Sequence, residues 1–174
     1  HDGLAEAIKY GCIKDAALFE KIAGYADDAA LLADIDSVVA TCCAIKARIV
    51  EQDEFDTGLR MLLNFGHTLG HAVEQHFGYS CFTHGEGVAI GMYQLTKRTE
   101  ELGMTAKGNA ERIKSVLEKY NLPLTAGVEK AQLLDTMARD KKKNGNSITL
   151  IILQQIGEGV LQKVDWQEVP KYLG

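Results

Sequence analysis

Apolar residues recur at helical spacing through most of the chain, and this pattern constrains the fold more than any other feature of the sequence. Only two prolines, Pro123 and Pro170, interrupt it. Helices are expected at about 3–11, 15–23, 28–51, 57–77, 85–103, 106–120 and 129–140, with a last short helix at 166–172. The β-branched run "SITLIIL", the glycine-containing "QQIGEG" and "VLQKV" predict a β-hairpin. The expected fold is therefore mainly α, a multi-helix domain with a small C-terminal β-hairpin.

Length, composition and charge exclude several classes of protein. The 174 residues, 46% of them apolar, suit one domain covering 1–174. The net charge is −5 and no basic tract is present, which argues against nucleic acid as a partner. No apolar run approaches the roughly 20 residues of a membrane span. The four cysteines form no CxxC pair and predict reduced, buried thiols in a cytoplasmic protein; they are Cys12, Cys42, Cys43 and Cys81.

The segment "GLRMLLNFGHTLGHAVEQHFG", residues 58–78, carries a narrow polar stripe. On one continuous helix, at about 100° per residue, five polar side chains fall within about 80° of one another. They are Arg60, Asn64, His67, His71 and Glu74. Apolar residues occupy much of the remaining circumference, so the stripe is expected to face an internal cleft, where polar groups need a metal, a ligand or one another. Gly66 and Gly70 lie between the histidines, which indicates that something approaches this backbone closely.

Two further segments offer candidate ligands. Thr83 and Glu86 fit a capping box, which would place His84 at the fixed start of a helix. Glu6 and Lys9 lie one turn apart, and taken alone they are interpreted as an ordinary surface ion pair. Two histidines and one carboxylate with an open fourth position form a common catalytic zinc set. Its candidates are Glu6, either His67 or His71, and His84, and the spacing alone does not choose between the two histidines.

Three segments, in this order and spacing, carry a family resemblance: "GLAEAIKYGCIKD", "KARIVEQDEFDTGLRMLLNFGHTLGHAVE" and "HGEGVAIGM". They resemble the C-terminal domain of 3-dehydroquinate synthases, and "RDKKKNGNSITLIIL" and "IGEG" extend the resemblance over nearly the whole chain. These enzymes of the shikimate pathway of aromatic amino acid biosynthesis convert 3-deoxy-D-arabino-heptulosonate 7-phosphate to 3-dehydroquinate and phosphate. The resemblance implies a carbon–oxygen lyase that uses NAD and a divalent metal, Zn²⁺ or Co²⁺.

The resemblance also implies roles for individual residues. Glu6, His67 and His84 would be the metal ligands, and His71 would stay metal-free and serve proton transfer and substrate contact. The implied substrate-binding residues are Lys9, Lys46, Arg60, Asn64 and one of Lys141 and Lys142. Cationic side chains suit a phosphorylated sugar acid in spite of the acidic net charge, because local charges govern a cleft.

The sequence departs from the family pattern at two positions. Asp56 stands where many members have Glu, which shortens a possible acid–base side chain by one methylene. Asp2 stands where relatives often carry Ser or Asn near the cofactor, so a contact with NAD is its expected role. No glycine-rich nucleotide motif follows a strand in these residues. The expectation is an NAD-binding N-terminal domain outside this chain, an inactive isolated fragment and a homodimer when intact.

Three other interpretations compete with this one. Another sugar phosphate cyclase, such as a 2-deoxy-scyllo-inosose synthase, differs in its substrate, because a carboxylate-bearing substrate needs an extra cationic partner. The helical domain of an iron-type alcohol dehydrogenase also binds metal, but "NFGHTLGHA" and "DKKK" favour the cyclase. A non-catalytic helical interaction module would bind no metal and would expose the polar stripe.

Overall fold

The computed structural model describes residues 2–53 and 58–173, and within the eighth helix it describes side chains only as far as residue 138. The α-helices are α1 (Asp2–Lys14), α2 (Ala16–Gly24), α3 (Asp28–Ala33), α4 (Ile35–Gln52), α5 (His67–His76), α6 (His84–Glu101), α7 (Asn109–Lys119) and α8 (Lys130–Asn144). Two 3₁₀ helices cover Leu59–Asn64 and Val169–Tyr172, and the strands are β1 (Ser147–Gln155) and β2 (Glu158–Asp165). The predicted class, mainly helical with a small C-terminal hairpin, is confirmed.

The hairpin forms where the β-branched run predicted it. Strands β1 and β2 pair antiparallel, with Ser147 opposite Asp165 and Ile152 opposite Val160. Gly157 lies in the connecting turn at φ +91, a conformation that glycine adopts without steric cost. The Gly157 amide also donates to the Cys12 carbonyl at 2.8 Å, which ties the turn to α1. The hairpin is thus part of the helical body.

The prediction of one continuous helix at 28–51 is wrong, because the helix is interrupted at Asp34. This residue ends α3 and precedes α4 with φ −116 and ψ 17. Its carboxylate accepts a hydrogen bond from the Tyr25 hydroxyl at 2.7 Å and pairs with the Lys21 ammonium at 2.7 Å. Aspartate often prefers such side-chain partners at a helix boundary to a position inside a helix. Apolar periodicity continued through the break and therefore did not reveal it.

The single helix predicted at 57–77 is also wrong. A 3₁₀ helix covers Leu59–Asn64, and α5 begins only at His67. Between them Gly66 adopts φ +79, and a side chain there would meet the Val88 carbonyl oxygen at 2.6 Å. A left-handed residue cannot continue a right-handed helix, so the direction of the chain changes at this point. Arg60 and Asn64 therefore do not lie on the same helix as the histidines.

The remaining predictions differ from the structure mainly in helix ends. The first and second helices extend over Asp2–Lys14 and Ala16–Gly24, and the predicted 106–120 helix begins only at Asn109. The expected final helix is a short 3₁₀ helix, Val169–Tyr172. No helix among the described residues has both the length and the mean hydropathy needed to cross a membrane.

The expectation of four buried thiols is only half right. Cys12 is buried in the core and Cys42 is half-buried, whereas Cys43 and Cys81 are exposed. Cys43 lies on α4, where it lines a surface groove, and Cys81 lies in the connection between α5 and α6. None of the four forms a disulfide.

Helix α6 belongs to both hydrophobic clusters of the described chain. The larger cluster joins it to α1, α2, α4 and α7, and Val88, Ala89 and Met92 are its members from α6. The smaller cluster gathers α5, α8, the hairpin and the C-terminal residues, with Leu95 as the member from α6. The N-terminal end of α6 therefore lies where α1 and α5 meet, and the candidate site is found there.

Candidate metal centre at the start of two helices

Three predicted ligands, Glu6, His67 and His84, come together at this corner. His67 is the first residue of α5, His84 is the first residue of α6, and Glu6 lies in α1. One potential ligand atom from each lies within 4.8 Å of the others. The predicted capping box holds the start of α6, because the Thr83 amide donates to Glu86 at 2.8 Å and the Glu86 amide donates to the Thr83 hydroxyl at 3.3 Å. His84 therefore projects from a fixed helix terminus.

Glycines allow α5 and α6 to pack at backbone distance. A Cβ atom at Gly70 would lie 2.8 Å from the carbonyl carbon of Gly87, and one at Gly91 would lie 1.9 Å from the Gly66 carbonyl oxygen. Both distances are far below van der Waals contact, so only hydrogen fits. The prediction that something approaches Gly66 and Gly70 closely is confirmed, and the neighbour is α6 itself. This packing places the His67 and His84 ring centroids 5.0 Å apart.

His67 presents the lone pair of Nε2 to the site. Its Nδ1 lies 3.1 Å from the Phe65 carbonyl oxygen, which can only accept, so Nδ1 carries the proton. Burial, reinforced by the nearby Lys9 ammonium, lowers the pKa of His67 to about 4. The ring is therefore neutral at physiological pH, as a metal ligand must be.

Glu6 divides its two oxygens between a lysine and the histidines. Oε2 accepts a hydrogen bond from the Lys9 ammonium at 2.6 Å. Oε1 is buried and has no hydrogen-bond partner among the described residues. It lies 3.4 Å from His67 Nε2 and 3.9 Å from His84 Nε2. A buried carboxylate oxygen without a donor is costly, and a cation between these three atoms would remove the cost. A mixed nitrogen and oxygen set of this kind suits zinc.

Glu6 and Lys9 form the expected ion pair at 2.6 Å, but the expectation that it lies on the surface is wrong. The Lys9 residue is only 2% exposed, and desolvation lowers the pKa of its ammonium, with the Glu6 carboxylate opposing that shift. Lys9 packs inside the domain, whereas the Glu6 side chain remains partly exposed. Lys9 thereby holds Glu6 in one orientation, with Oε1 turned toward the histidines.

His71 lies one turn beyond His67 and is exposed. Its ring centroid is 5.5 Å from that of His67 and 5.7 Å from that of His84. It lines a cavity of about 460 Å³ together with Asn64 and His67. His71, Glu74 and His84 also form a second group whose potential ligand atoms lie within 4.8 Å of one another.

Lys46 lies on the other side of the site. It is exposed on α4 and lines a largely apolar groove of about 480 Å³. Glu6 and Tyr10 line the same groove. Arg60 is half-buried on the first 3₁₀ helix, and its backbone amide donates to the Asp53 carboxylate at 3.0 Å. The candidate metal centre thus lies between the groove that Glu6 lines and the cavity that His67 lines.

Asp2 has a structural role within this chain. Its carboxylate accepts a hydrogen bond from the Gly85 amide at 2.5 Å, and hydrogen bonds from Thr83 and Gly85 lower its pKa. The contact joins the start of α1 to the start of α6. The expected contact with NAD stays a prediction. Asp56, Lys141 and Lys142 lie outside the residues whose side chains the structure describes.

Sequence reasoning missed two contributions to the site. Glu74 stood on the predicted polar stripe without a role, yet its Oε1 lies 2.9 Å from His84 Nδ1. The hairpin and the segment after it supply Ser147, Thr149 and Trp166 to the 460 Å³ cavity. The stripe was a usable signal for Glu74, whereas no local pattern connects the hairpin to the histidines.

A comparison with known protein families finds a match over most of this chain. The model of the family described as 3-dehydroquinate synthase C-terminal matches residues 3–143. The chain belongs to this family. It is 47% identical to a 3-dehydroquinate synthase of Clostridium acetobutylicum over 174 residues, which cover 99% of this chain and 49% of the relative. A 3-dehydroquinate synthase of Enterococcus faecalis is 36% identical over 173 residues and is covered to 48%. The chain thus spans about half the length of the curated relatives it matches.

Solved structures share the fold of this family member. A 2-epi-5-epi-valiolone synthase from Streptomyces hygroscopicus, with NAD⁺ and Zn²⁺ bound, superimposes with a TM-score of 0.80 at 22% identity, over 98% of this chain and 49% of that one. A 2-deoxy-scyllo-inosose synthase complexed with carbaglucose-6-phosphate, NAD⁺ and Co²⁺ gives 0.75 at 18% identity, over 98% and 50%. At these identities the likeness establishes the fold alone.

Proposed function

We propose that this chain is the metal- and substrate-binding domain of a 3-dehydroquinate synthase, which converts 3-deoxy-D-arabino-heptulosonate 7-phosphate to 3-dehydroquinate and phosphate. The observation that carries the proposal is the 47% identity to a curated 3-dehydroquinate synthase along 99% of the chain. The solved cyclases with other names are only 22% and 18% identical. The reaction belongs to the shikimate pathway, and the proposed location is the cytoplasm.

Glu6, His67 and His84 are the proposed ligands of one divalent ion, Zn²⁺ or Co²⁺. The support is that three acceptor atoms meet there, including the unpartnered Glu6 Oε1, and that no donor from the described residues lies between them. When bound, such an ion polarises the hydroxyl and carbonyl oxygens of a substrate. Lys9 assists by neutralising Glu6 Oε2 and fixing its orientation. The three ligands leave a further coordination position for a substrate oxygen.

His71 is the proposed proton-transfer residue. It is exposed to the same cavity as Asn64, and it is close to the metal centre without belonging to the proposed ligand set. A free imidazole can both accept and donate a proton near neutral pH. Asp56 keeps its proposed acid–base role, which no described contact addresses.

The proposed substrate contacts combine cations and one amide. The phosphate and the carboxylate would be held by Lys46, Arg60 and one of Lys141 and Lys142. Asn64 would contact a hydroxyl of the substrate, and Lys9 would lie close to the end of the substrate that the metal binds. Arginine and lysine pair with such anions through charge-assisted hydrogen bonds. The two anionic groups of this substrate require cations at both ends, and Lys46 lies in the groove while Asn64 lies in the cavity.

NAD would be held mainly by a nucleotide-binding half outside these 174 residues. The support is that the chain spans about half of its relatives and contains no glycine-rich phosphate-binding motif. When bound there, NAD would supply the reversible hydride transfer that makes elimination of phosphate from such a substrate feasible. The chain alone is therefore expected to be inactive, and the intact enzyme is proposed to be a homodimer.

A second candidate is another sugar phosphate cyclase, because solved enzymes of that kind share this fold. The substrates separate the two candidates. A hexose phosphate lacks the carboxylate of the sugar acid, so it would leave one set of cations without a partner.

The test is a chimera that joins the N-terminal half of the Clostridium acetobutylicum relative to this chain. Phosphate release is measured with NAD, Zn²⁺ and either 3-deoxy-D-arabino-heptulosonate 7-phosphate or a hexose 6-phosphate. We expect turnover of the sugar acid only, none from the 174-residue chain alone, and none from the chimera carrying His67→Ala. Release from the hexose phosphate but not from the sugar acid would contradict the proposed substrate.

A further inference from the structure

Glu74 is a buried carboxylate that the proposed reaction leaves without a role. It lies on α5, is only 6% exposed, and faces the first turns of α6. Gly87 makes room for it, since a Cβ at Gly87 would lie 3.3 Å from Glu74 Cγ and 3.5 Å from Oε1. Burying a carboxylate is unfavourable unless a donor or a cation compensates it. The partner of Glu74 therefore indicates what it does.

That partner is His84, whose Nδ1 lies 2.9 Å from Glu74 Oε1. An ionised carboxylate can only accept, so the proton of a neutral His84 ring resides on Nδ1. The Nε2 lone pair then points toward the metal centre, 3.9 Å from Glu6 Oε1. One hydrogen bond thus fixes both the tautomer and the direction of the ring.

His67 provides an internal comparison. Its Nδ1 is held by a neutral acceptor, the Phe65 carbonyl oxygen, at 3.1 Å. Both histidines therefore present Nε2, but only His84 is backed by a carboxylate. A carboxylate behind a ligating imidazole raises the basicity of the other nitrogen and orients the ring. The two histidines therefore have the same orientation, but a neutral carbonyl holds His67 and a carboxylate holds His84.

We propose that Glu74 is a positioning residue for the metal centre, which holds His84 in the Nδ1–H tautomer with Nε2 directed at the ion. The inference rests on the proposed metal role of Glu6, His67 and His84. It assigns Glu74 an outer position, in contact with a ligand and not with the ion.

A rival arrangement would make Glu74 itself a ligand, together with His71 and His84, because their potential ligand atoms also lie within 4.8 Å of one another. An ion held through His84 Nδ1, the nitrogen that faces Glu74, would replace this hydrogen bond and would leave Glu6 Oε1 buried without a partner among the described residues. An ion at the first position satisfies Glu6 Oε1, His67 Nε2 and His84 Nε2 together and retains the Glu74 hydrogen bond. The geometry therefore favours the outer position.

The test compares Glu74→Ala and Glu74→Gln with a matched control, Glu86→Gln, in the 174-residue chain. Glu86→Gln removes the same charge two residues from His84 and keeps the capping box, which accepts glutamine. Thermal unfolding reports folding of each variant. The first readout is the His84 tautomer, measured from ¹⁵N chemical shifts without metal at a pH above the usual imidazole pKa of about 6.5. The second readout is the affinity and stoichiometry of Zn²⁺ binding.

The wild type should show His84 protonated at Nδ1 and should bind one Zn²⁺. Glu74→Ala should mix the tautomers and weaken Zn²⁺ binding by about 10- to 100-fold at unchanged stoichiometry. Glu74→Gln should keep the tautomer through its amide oxygen and lose less affinity, and Glu86→Gln should match the wild type.

Each contrary result has a separate meaning. A wild-type His84 protonated at Nε2, or a folded Glu74→Ala with wild-type affinity, would overturn the positioning role alone. Complete loss of Zn²⁺ in both Glu74 variants would make Glu74 a ligand and would also overturn it. A wild type that binds no Zn²⁺ would overturn the proposed metal site and with it the inference.

Discussion

The candidate metal centre and the candidate substrate-binding residues differ in how much of their geometry this chain supplies. Each metal candidate has a fixed partner: Glu6 has Lys9, His67 has the Phe65 carbonyl, and His84 has Glu74. The substrate candidates Lys46 and Asn64, in contrast, are exposed and line separate cavities. Supporting contacts hold a functional side chain near one geometry. The difference favours a proposed metal centre whose candidate ligands are already oriented within this chain, and a proposed substrate site that needs further contacts.

Backbone packing is the source of this difference. The two candidate histidine ligands stand at helix starts that glycines bring together, whereas Lys46 is exposed on α4 and carries its charge on a long, flexible stem. Substitutions that disturb the packing should therefore damage the metal centre most. Substitutions in the open cavity should leave it intact.

The largest effect is expected from Gly91→Ala. The new Cβ would lie 1.9 Å from the Gly66 carbonyl oxygen, so α5 and α6 must separate. Although alanine favours a helix by about 1 kcal/mol over glycine, the clash should lower the free energy of unfolding by about 2–3 kcal/mol net. Chemical denaturation measures this, and Zn²⁺ binding should weaken with it.

Gly24→Ala is the matched control, since nothing lies within 4 Å of its Cβ position and α2 ends there. Its free energy of unfolding should stay within about 1 kcal/mol of the wild type. Equal stability of Gly91→Ala and Gly24→Ala would contradict the account of the α5–α6 contact.

The next largest effect is expected from His67→Ala, which should fold normally but lose Zn²⁺ binding. Residues that contact a ligand and not the metal itself contribute about 10- to 100-fold to metal affinity. Removal of a ligand should therefore weaken Zn²⁺ binding by more than about 100-fold. Calorimetric titration checks this. His76→Ala, at the exposed end of the same helix, where the ring contacts Phe77, should bind Zn²⁺ like the wild type. Similar affinities for the two variants would remove His67 from the ligand set.

The smallest effect on the metal is expected from His71→Ala. The proposed ligands leave His71 free, so the Zn²⁺ affinity of this variant should equal that of the wild type within error. Turnover by the chimera should nevertheless fall strongly, because the proton-transfer group is gone. Loss of Zn²⁺ in proportion to the substitution would instead indicate a metal centre built on His71, Glu74 and His84.

Local signals in the sequence predicted part of the site correctly. The capping box of Thr83 and Glu86 was predictable because its partners are three residues apart. The close approach at Gly66 and Gly70 followed from two glycines inside an apolar helical pattern. The helical class and the hairpin followed from a change in apolar periodicity, which reports the type of secondary structure.

The rest depended on contacts between distant segments. Gly66 breaks the predicted helix because the Val88 carbonyl occupies the space beside it. Asp34 breaks another helix through Lys21 and Tyr25. The burial of Lys9 also depends on neighbours far along the chain, so helical spacing left it on the surface. Residue types named the candidates, but the choice of His67 over His71 came from the family resemblance and not from spacing.

The most direct test of the account is anomalous X-ray diffraction from crystals of this chain grown with Zn²⁺. The account predicts one peak near 2 Å from Glu6 Oε1, His67 Nε2 and His84 Nε2, with Glu74 still bonded to His84 Nδ1. A peak bonded to His71, Glu74 and His84 Nδ1, with Glu6 left outside the coordination sphere, would contradict it.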